Sequence, residues 1–300
     1  MKNIDKSRGL IALLFGLICF VVFVSLFIGN WSGLFAYNFN NRDFNGNSDD
    51  YVKFIDVGQG DATLICSNGY SAIIDTGISD SASDICAVLD NCGVDTLDVM
   101  VLTHLDDDHI GGAKKVIEIY SPKNLILPEI SVESDGLATA HLVVGKVTDY
   151  GGNIYTATAG MNFEIGDFKA TVLAHFSEQD KENNRSIVMM TEIDQIKFLL
   201  TGDIEKKAEY ELLNEGLNLD CDVLKVAHHG SNSSSSDDFL KSSKPKYAVI
   251  SVGEDNIYKM PHSKVLSNLQ YYGANIYRTD MNGDITFYVN DGEITVKTLK

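Results

Sequence analysis

Basic residues are scarce: 24 Lys and Arg stand against 42 Asp and Glu, a formal charge of −18 over 300 residues. That balance argues for solubility and against a broad basic groove for nucleic acid. The five cysteines lack the paired spacing that a thiolate metal site uses. Cys19 falls in an apolar run, Cys66 and Cys221 in strand-like runs, and Cys86 and Cys92 near one short helix. Buried free thiols are therefore expected rather than a disulfide framework. No internal repeat is evident. A single apolar run is long enough to cross a membrane, so this chain by itself is not expected to form a channel.

That run is residues 10–29, uncharged throughout. Its length matches the roughly 20 residues a helix needs to span the hydrocarbon core. Lys2, Lys6 and Arg8 precede it against Asp5, and Trp31 follows. The positive-inside rule then makes residues 1–9 a cytoplasmic tail, 10–29 a single-pass anchor, and all that follows extracytoplasmic. A cleaved signal peptide is the rival, but its apolar region is usually about 7–15 residues. Residues 30–50 are polar and rich in Asn, which reads as a tether. Residues 51–300 remain as one candidate folded domain, in a chain whose 44% hydrophobic content can bury a large core.

The densest chemistry lies at Thr103-His104-Leu105-Asp106-Asp107-Asp108-His109-Ile110-Gly111-Gly112. It follows the apolar run 97–102, which reads as a buried strand, and precedes residues 111–120, which read as a helix. The cluster thus sits at the carboxyl end of a strand, where ligands of α/β sheets collect. Imidazoles and carboxylates this close repel or desolvate one another unless a cation holds them together. Mixed nitrogen and oxygen donors suit zinc, manganese or iron. A capping Asp would explain one acid and leave both histidines and the double Gly without a role.

At these residues the chain resembles the metallo-β-lactamase-fold superfamily, whose signature is His-x-His-x-Asp-His. Asp106 stands where that signature has its second His. The variant resembles the hydrolase domain of the competence protein ComEC and its free-standing relatives. Two further strings carry the resemblance, Ile55-Asp56-Val57-Gly58-Gln59-Gly60-Asp61-Ala62 and Ala227-His228-His229-Gly230-Ser231. Together they extend it over essentially all of 51–300. It implies an α/β fold, the αββα four-layer sandwich, preceded here by one N-terminal transmembrane helix. Two comparable halves are expected at 51–175 and 183–299. One or two divalent cations, zinc or manganese, are implied as cofactor. His104 and Asp106 would hold one, Asp108, His109 and His228 the other, and Asp203 would bridge them.

Other positions carry narrower expectations. Gly58 and Gly60 turn the chain while Asp56 or Asp61 points towards the site. Asp75 would orient a metal-bound imidazole from behind, although an Asp before Thr76-Gly77 also fits an ordinary turn. Asn184 lies where the superfamily carries a third metal-binding His, and the oxygen-rich shell that results favours manganese over zinc. His229 is expected as acid, base or substrate contact. Ser231 opens a serine run, flexible by composition, that would offer hydroxyls and amides to a phosphate. Residues 256–262, with Asn256, Tyr258 and Pro261, resemble the group's Asn-x-Tyr-x-His-Pro pattern. Met260 replaces its His, which leaves that role vacant or passes it to His262. His141 and His175 are expected to be structural.

The chemistry implied is metal-activated attack of water, with Asp108, Asp203 and His229 as the catalytic set. The reading is a membrane-anchored extracytoplasmic phosphodiesterase acting on DNA or on a wall polymer. Rivals are hydrolysis of another ester or amide, and a non-catalytic metal-binding or sensing module resting on Asp106, Asn184 and Met260. A monomer is expected, with a separate channel protein as partner if DNA is to cross the membrane.

Overall fold

Strands Tyr70–Ile74 and Val99–Val101 are buried at every position, the mark of a sheet covered on both faces. Ala72, Ile74, Val99 and Val101 enter one apolar cluster, while Ile73 and Met100 enter another. Period-two alternation thus feeds two cores from one sheet. The structure, a computed structural model, describes residues 36–37, 39, 49–130, 134, 136–174 and 182–300. The apolar run 10–29, most of the tether, and His175 lie outside the described residues. Among the described residues no helix is long and apolar enough to cross a membrane.

Two eight-stranded sheets face each other. The first runs in spatial order Glu293–Thr298, Ile285–Asn290, Asp50–Phe54, Thr63–Ser67, Tyr70–Ile74, Val99–Val101, Asn124–Leu127, Asn153–Thr156. The second runs Ala36–Tyr37, Asn162–Ile165, Phe168–Ala174, Val188–Ile193, Ile196–Leu200, Val223–Lys225, Tyr247–Ile250, Asn275–Arg278. In both, hairpin pairing gives way to parallel pairing midway, at Tyr70–Ile74 with Val99–Val101 and at Ile196–Leu200 with Val223–Lys225. Phe54, Val101, Phe198 and Val223 belong to the core between the sheets. Helices Ala82–Asn91, Ala113–Tyr120 and Leu137–Asp149 cover the first sheet through Leu89, Ile117 and Val143. Helices Lys206–Asn214, Asp237–Ser243 and Ser263–Tyr271 cover the second through Leu212, Leu240 and Leu269. The result is a mixed α/β sandwich of two sheets with helices on the outer faces.

The halves are not confined to their own sheets. The 162–174 hairpin, expected with the first half, pairs into the second sheet, and the 285–298 hairpin returns to pair with Asp50–Phe54. Hydrophobic alternation says that a strand has a buried face and is silent on which sheet supplies its neighbour. Part of the expected tether also packs: Phe39 is buried in the central core and Tyr37 meets Tyr155 edge to face. Asp75, His104, Asp203, His229 and Ser251 all follow carboxyl ends of strands in the parallel portions. The two sheets therefore deliver these five residues to one edge of the sandwich.

Candidate metal centre

Asp106 takes an extended conformation and starts a single helical turn, Asp107–Ile110, inside what reads as loop. That turn sets Asp108 and His109 side by side. The double Gly of the motif has a packing reason, since a Cβ on Gly112 would lie 2.2 Å from the Thr76 carbonyl oxygen. Gly60, at φ +150°, lets its loop pass so close that a Cβ would sit 2.5 Å from the Asp108 carbonyl oxygen. The Asp61 amide then donates to that same carbonyl at 3.1 Å.

Three imidazoles converge, and the partners on their Nδ1 atoms fix what each presents. His109 Nδ1 donates to Asp75 Oδ2 at 2.8 Å, and His229 Nδ1 donates to the Ser251 carbonyl at 2.8 Å. His104 Nδ1 lies 3.2 Å from Thr103 Oγ1 and 3.3 Å from Ser186 Oγ. Those hydroxyls spend their single protons on Asp75 Oδ2 and the Asn183 carbonyl, so His104 Nδ1 is the donor to them. All three rings accordingly turn an Nε2 lone pair inward. His104 Nε2, His109 Nε2 and Asp203 Oδ1 are buried without a hydrogen-bond partner. Three orphaned donor atoms facing one another are costly unless a cation fills the space.

Two of the overlapping donor groups include Asp61; the other two are His104 with His109 and Asp203, and Asp108 with His109 and His229. Asp203 reaches both, with Oδ1 3.4 Å from His109 Nε2 and Oδ2 3.2 Å from His229 Nε2. Asp108 Oδ2 is 3.2 Å from His229 Nε2. The nitrogen and oxygen donors fit one or two divalent cations.

Without a cation, protons take its place. Burial works against a charged His229, but Asp203 and the hydrogen bonds to Asp108 and Asp203 outweigh it and hold the ring's pKa up to about 10. His109 is raised well above the usual range by Asp203 and Asp75 against the same burial. Burial would raise Asp203, yet His229 and His109 pull it well below the usual carboxylate range.

The expected roles of the histidine pair are exchanged in space. His229 enters the cluster, whereas His228 sits at the rim, half-buried, against Asn183 Nδ2 and 3.2 Å from Ser233 Oγ. Both residues have positive φ, +50° and +52°, so the chain reverses and strand alternation no longer tells which ring faces in. Burial, with the nearby His229 charge, lowers the His228 pKa.

Of the remaining candidates, Asp106 reaches His104 alone, at 3.6 Å and one-third exposed. Asp61, not Asp56, points into the centre, because Asp56 pairs outward with Lys300 at 3.0 Å. Asp75 also accepts from the Thr103 amide at 2.7 Å, which locks the loop to the ring it holds. Asn184 does not face the donors; its Oδ1 accepts the Glu205 amide at 2.8 Å. Met260 packs against the outer core, His262 accepts from the Asn232 amide at 3.3 Å, and Tyr258 is exposed.

Ser231 bonds Ser233, and Ser231, Ser234, Ser235 and Ser236 are buried rather than flexible. The amides of Ser235 and Ser236 are already taken by the buried Glu209 carboxylate, so they are not open to a phosphate. Beside them a cavity of about 450 Å³ is lined by Lys206, Tyr210, Asn232 and Lys264. The four described cysteines are free. Sequence reading missed Lys225, whose ammonium is buried 2.5 Å from Asp61 Oδ2, and it missed Thr103, Ser186 and Ser251. A lysine inside the apolar strand Val223–Lys225 was the visible signal for the first; the others carried none.

With this fold and this donor set, the chain belongs to the metallo-beta-lactamase superfamily, whose family model matches residues 55–254. Its relatives place it more narrowly, in the ComEC-type group. It is 33% identical over 261 residues to ComE operon protein 3 of Bacillus subtilis (strain 168), covering 80% of this chain and 33% of that protein. It is 30% identical over 251 residues to competence protein ComA of Neisseria gonorrhoeae, covering 83% and 34%. Recombination protein 2 of Haemophilus influenzae (strain ATCC 51907 / DSM 11121 / KW20 / Rd) is 32% identical over 241 residues, covering 78% and 28%. The chain thus spans about a third of the length of the curated relatives it matches. Among solved structures, the diiron β-hydroxylase CmlA of Streptomyces venezuelae shares the fold, with a TM-score of 0.54 at 10% identity over 81% of this chain and 55% of that one.

Proposed function

We propose that the chain is a membrane-anchored, extracytoplasmic phosphodiesterase that works with manganese or zinc and cleaves DNA. The observation that carries this reading is the set of buried, unpartnered atoms His104 Nε2, His109 Nε2 and Asp203 Oδ1, with Asp108 and His229 completing the ring of donors. Those residues would hold one or two divalent cations, which would supply Lewis acidity for activating water at a phosphoester. The two carboxylates of the donor set, Asp108 and Asp203, suit manganese as well as zinc. Asp75, Ser251, Thr103 and Ser186 hold the imidazoles in the tautomer that keeps Nε2 free. His228, neutral at the rim and steadied by Ser233, is placed to exchange a proton with water or with the leaving oxygen.

Relatives named for competence and recombination direct the choice of phosphodiester towards DNA. Lys206 and Lys264, with Asp237 opposing them, line the cavity beside the serine run and would offer cationic contacts to a phosphate. The chain acts as a monomer, and a separate channel protein would carry the strand across the membrane.

The test uses full-length protein stripped with chelator and reloaded with manganese or zinc. Turnover of bis-p-nitrophenyl phosphate and of DNA oligonucleotides should appear only with the cation. Turnover of simple esters or amides alone would select another hydrolase. Full metal content without turnover of any of them would select the sensing module.

A further inference from the structure

Lys225 sits at the centre without a part in the chemistry above. Its ammonium lies 2.5 Å from Asp61 Oδ2 and donates to the Val226 carbonyl at 3.1 Å, and both acid and base side chains are 4% exposed. The Asp61 carboxylate stands 3.8 Å from His229 Nδ1 and 3.9 Å from His109 Nδ1, behind the two rings. Those Nδ1 hydrogens already go to Ser251 and Asp75, so the ammonium is the counter-charge of Asp61. Asp61 is otherwise close enough to join two donor groups, one with Asp203 and His229 and one with Asp75 and His109. The pair also ties the sheets together beneath the centre, since Lys225 ends a strand of the second and Asp61 precedes Thr63–Ser67 of the first.

We propose that Lys225 is a positioning residue that sets how tightly the centre holds divalent cations, by withholding Asp61 from them and cancelling its charge. The proposal rests on the reading of the cluster as a metal centre and adds the group that tunes it. A fixed ammonium repels a dication and a fixed carboxylate attracts it, with weak screening at a buried site. Removing one partner unmasks the other, so the single variants must move affinity in opposite directions. A pair that merely braced the fold would weaken binding in both.

Binding of manganese and of zinc is measured by calorimetry on chelator-stripped full-length protein. Lys225→Met, which keeps length and loses charge, should bind about tenfold tighter or better. Asp61→Asn should bind at least about tenfold more weakly, and the double variant should return to within about threefold of the wild type. Weaker binding in both single variants, or no shift in either, would overturn the proposal. If Lys225→Met does not fold, the comparison of Asp61→Asn with the double variant decides alone. Recovery of affinity in the double variant supports the proposal, and further loss or no change overturns it. A wild type that binds neither cation would sink the metal-centre reading before any variant is made.

Discussion

His109 and His229 each bury an imidazole nitrogen against Asp203, an arrangement tolerable only with a proton or a cation between them. The folded-state value of His229, about 10, stands above its ordinary 6.5. Its contribution to metal-free stability is therefore complete below about pH 6.5 and lost as pH rises through about 10. Calorimetric scans of metal-free protein should show the melting temperature falling between pH 7 and 10, a fall that cation-loaded protein does not share. Cation uptake at pH 7 should release protons, and affinity should rise by about tenfold per pH unit for each proton displaced. Titrations in two buffers of different ionisation enthalpy check this. Asp203→Ala removes the carboxylate that reaches both donor groups and should lower metal affinity and turnover by more than about 100-fold; Asp75→Asn, acting from behind His109, should cost about 10–100-fold. Three of the five candidate donors were legible because His104, Asp108 and His109 crowd one stretch of sequence. Ser186 and Ser251 were not, since one serves through a shared hydroxyl and the other through a carbonyl that any residue owns.

Loops and helices were read from the sequence with uneven success, for reasons that lie in their hydrogen bonds. The helix expected at 111–120 is present and slightly shorter, as Ala113–Tyr120, because apolar spacing at 3.6 residues marks it directly. The serine run 231–236 misleads by composition, for its order comes from Glu209, a distant carboxylate that caps two of its amides. Glu209→Ala should strip those caps and cost about 1–3 kcal/mol in a denaturant titration. Gly60→Ala should cost about 1–3 kcal/mol as well, because its Cβ would press on the Asp108 carbonyl. Unlike Glu209→Ala, it should also weaken cation binding, since Asp108 must move.

Across the whole molecule, the sandwich was legible as a class and its wiring was not. Strands of both halves announce themselves by buried runs, yet nothing in residues 162–174 or 285–298 says that these hairpins exchange sheets. That exchange gives each half strands in both sheets. The uncharged run 10–29, with Lys2, Lys6 and Arg8 before it, leads to an expectation for intact cells. A membrane-impermeant label should reach residues 51–300 from outside. Labelling only after lysis would contradict the topology, and a mature chain beginning near residue 37 would mark a cleaved signal peptide instead.

In the proposed centre, His104, His109, His229, Asp108 and Asp203 would hold the cations on which hydrolysis depends, with His228 outside the ligand set. Bound manganese and zinc should be counted per chain in reloaded full-length wild type, His228→Ala and His229→Ala. The expected result is one or two cations in the wild type, the same number in His228→Ala with slower turnover of bis-p-nitrophenyl phosphate, and the loss of at least one in His229→Ala. A wild type without bound metal, or a His229→Ala that keeps its full complement while His228→Ala does not, would contradict it.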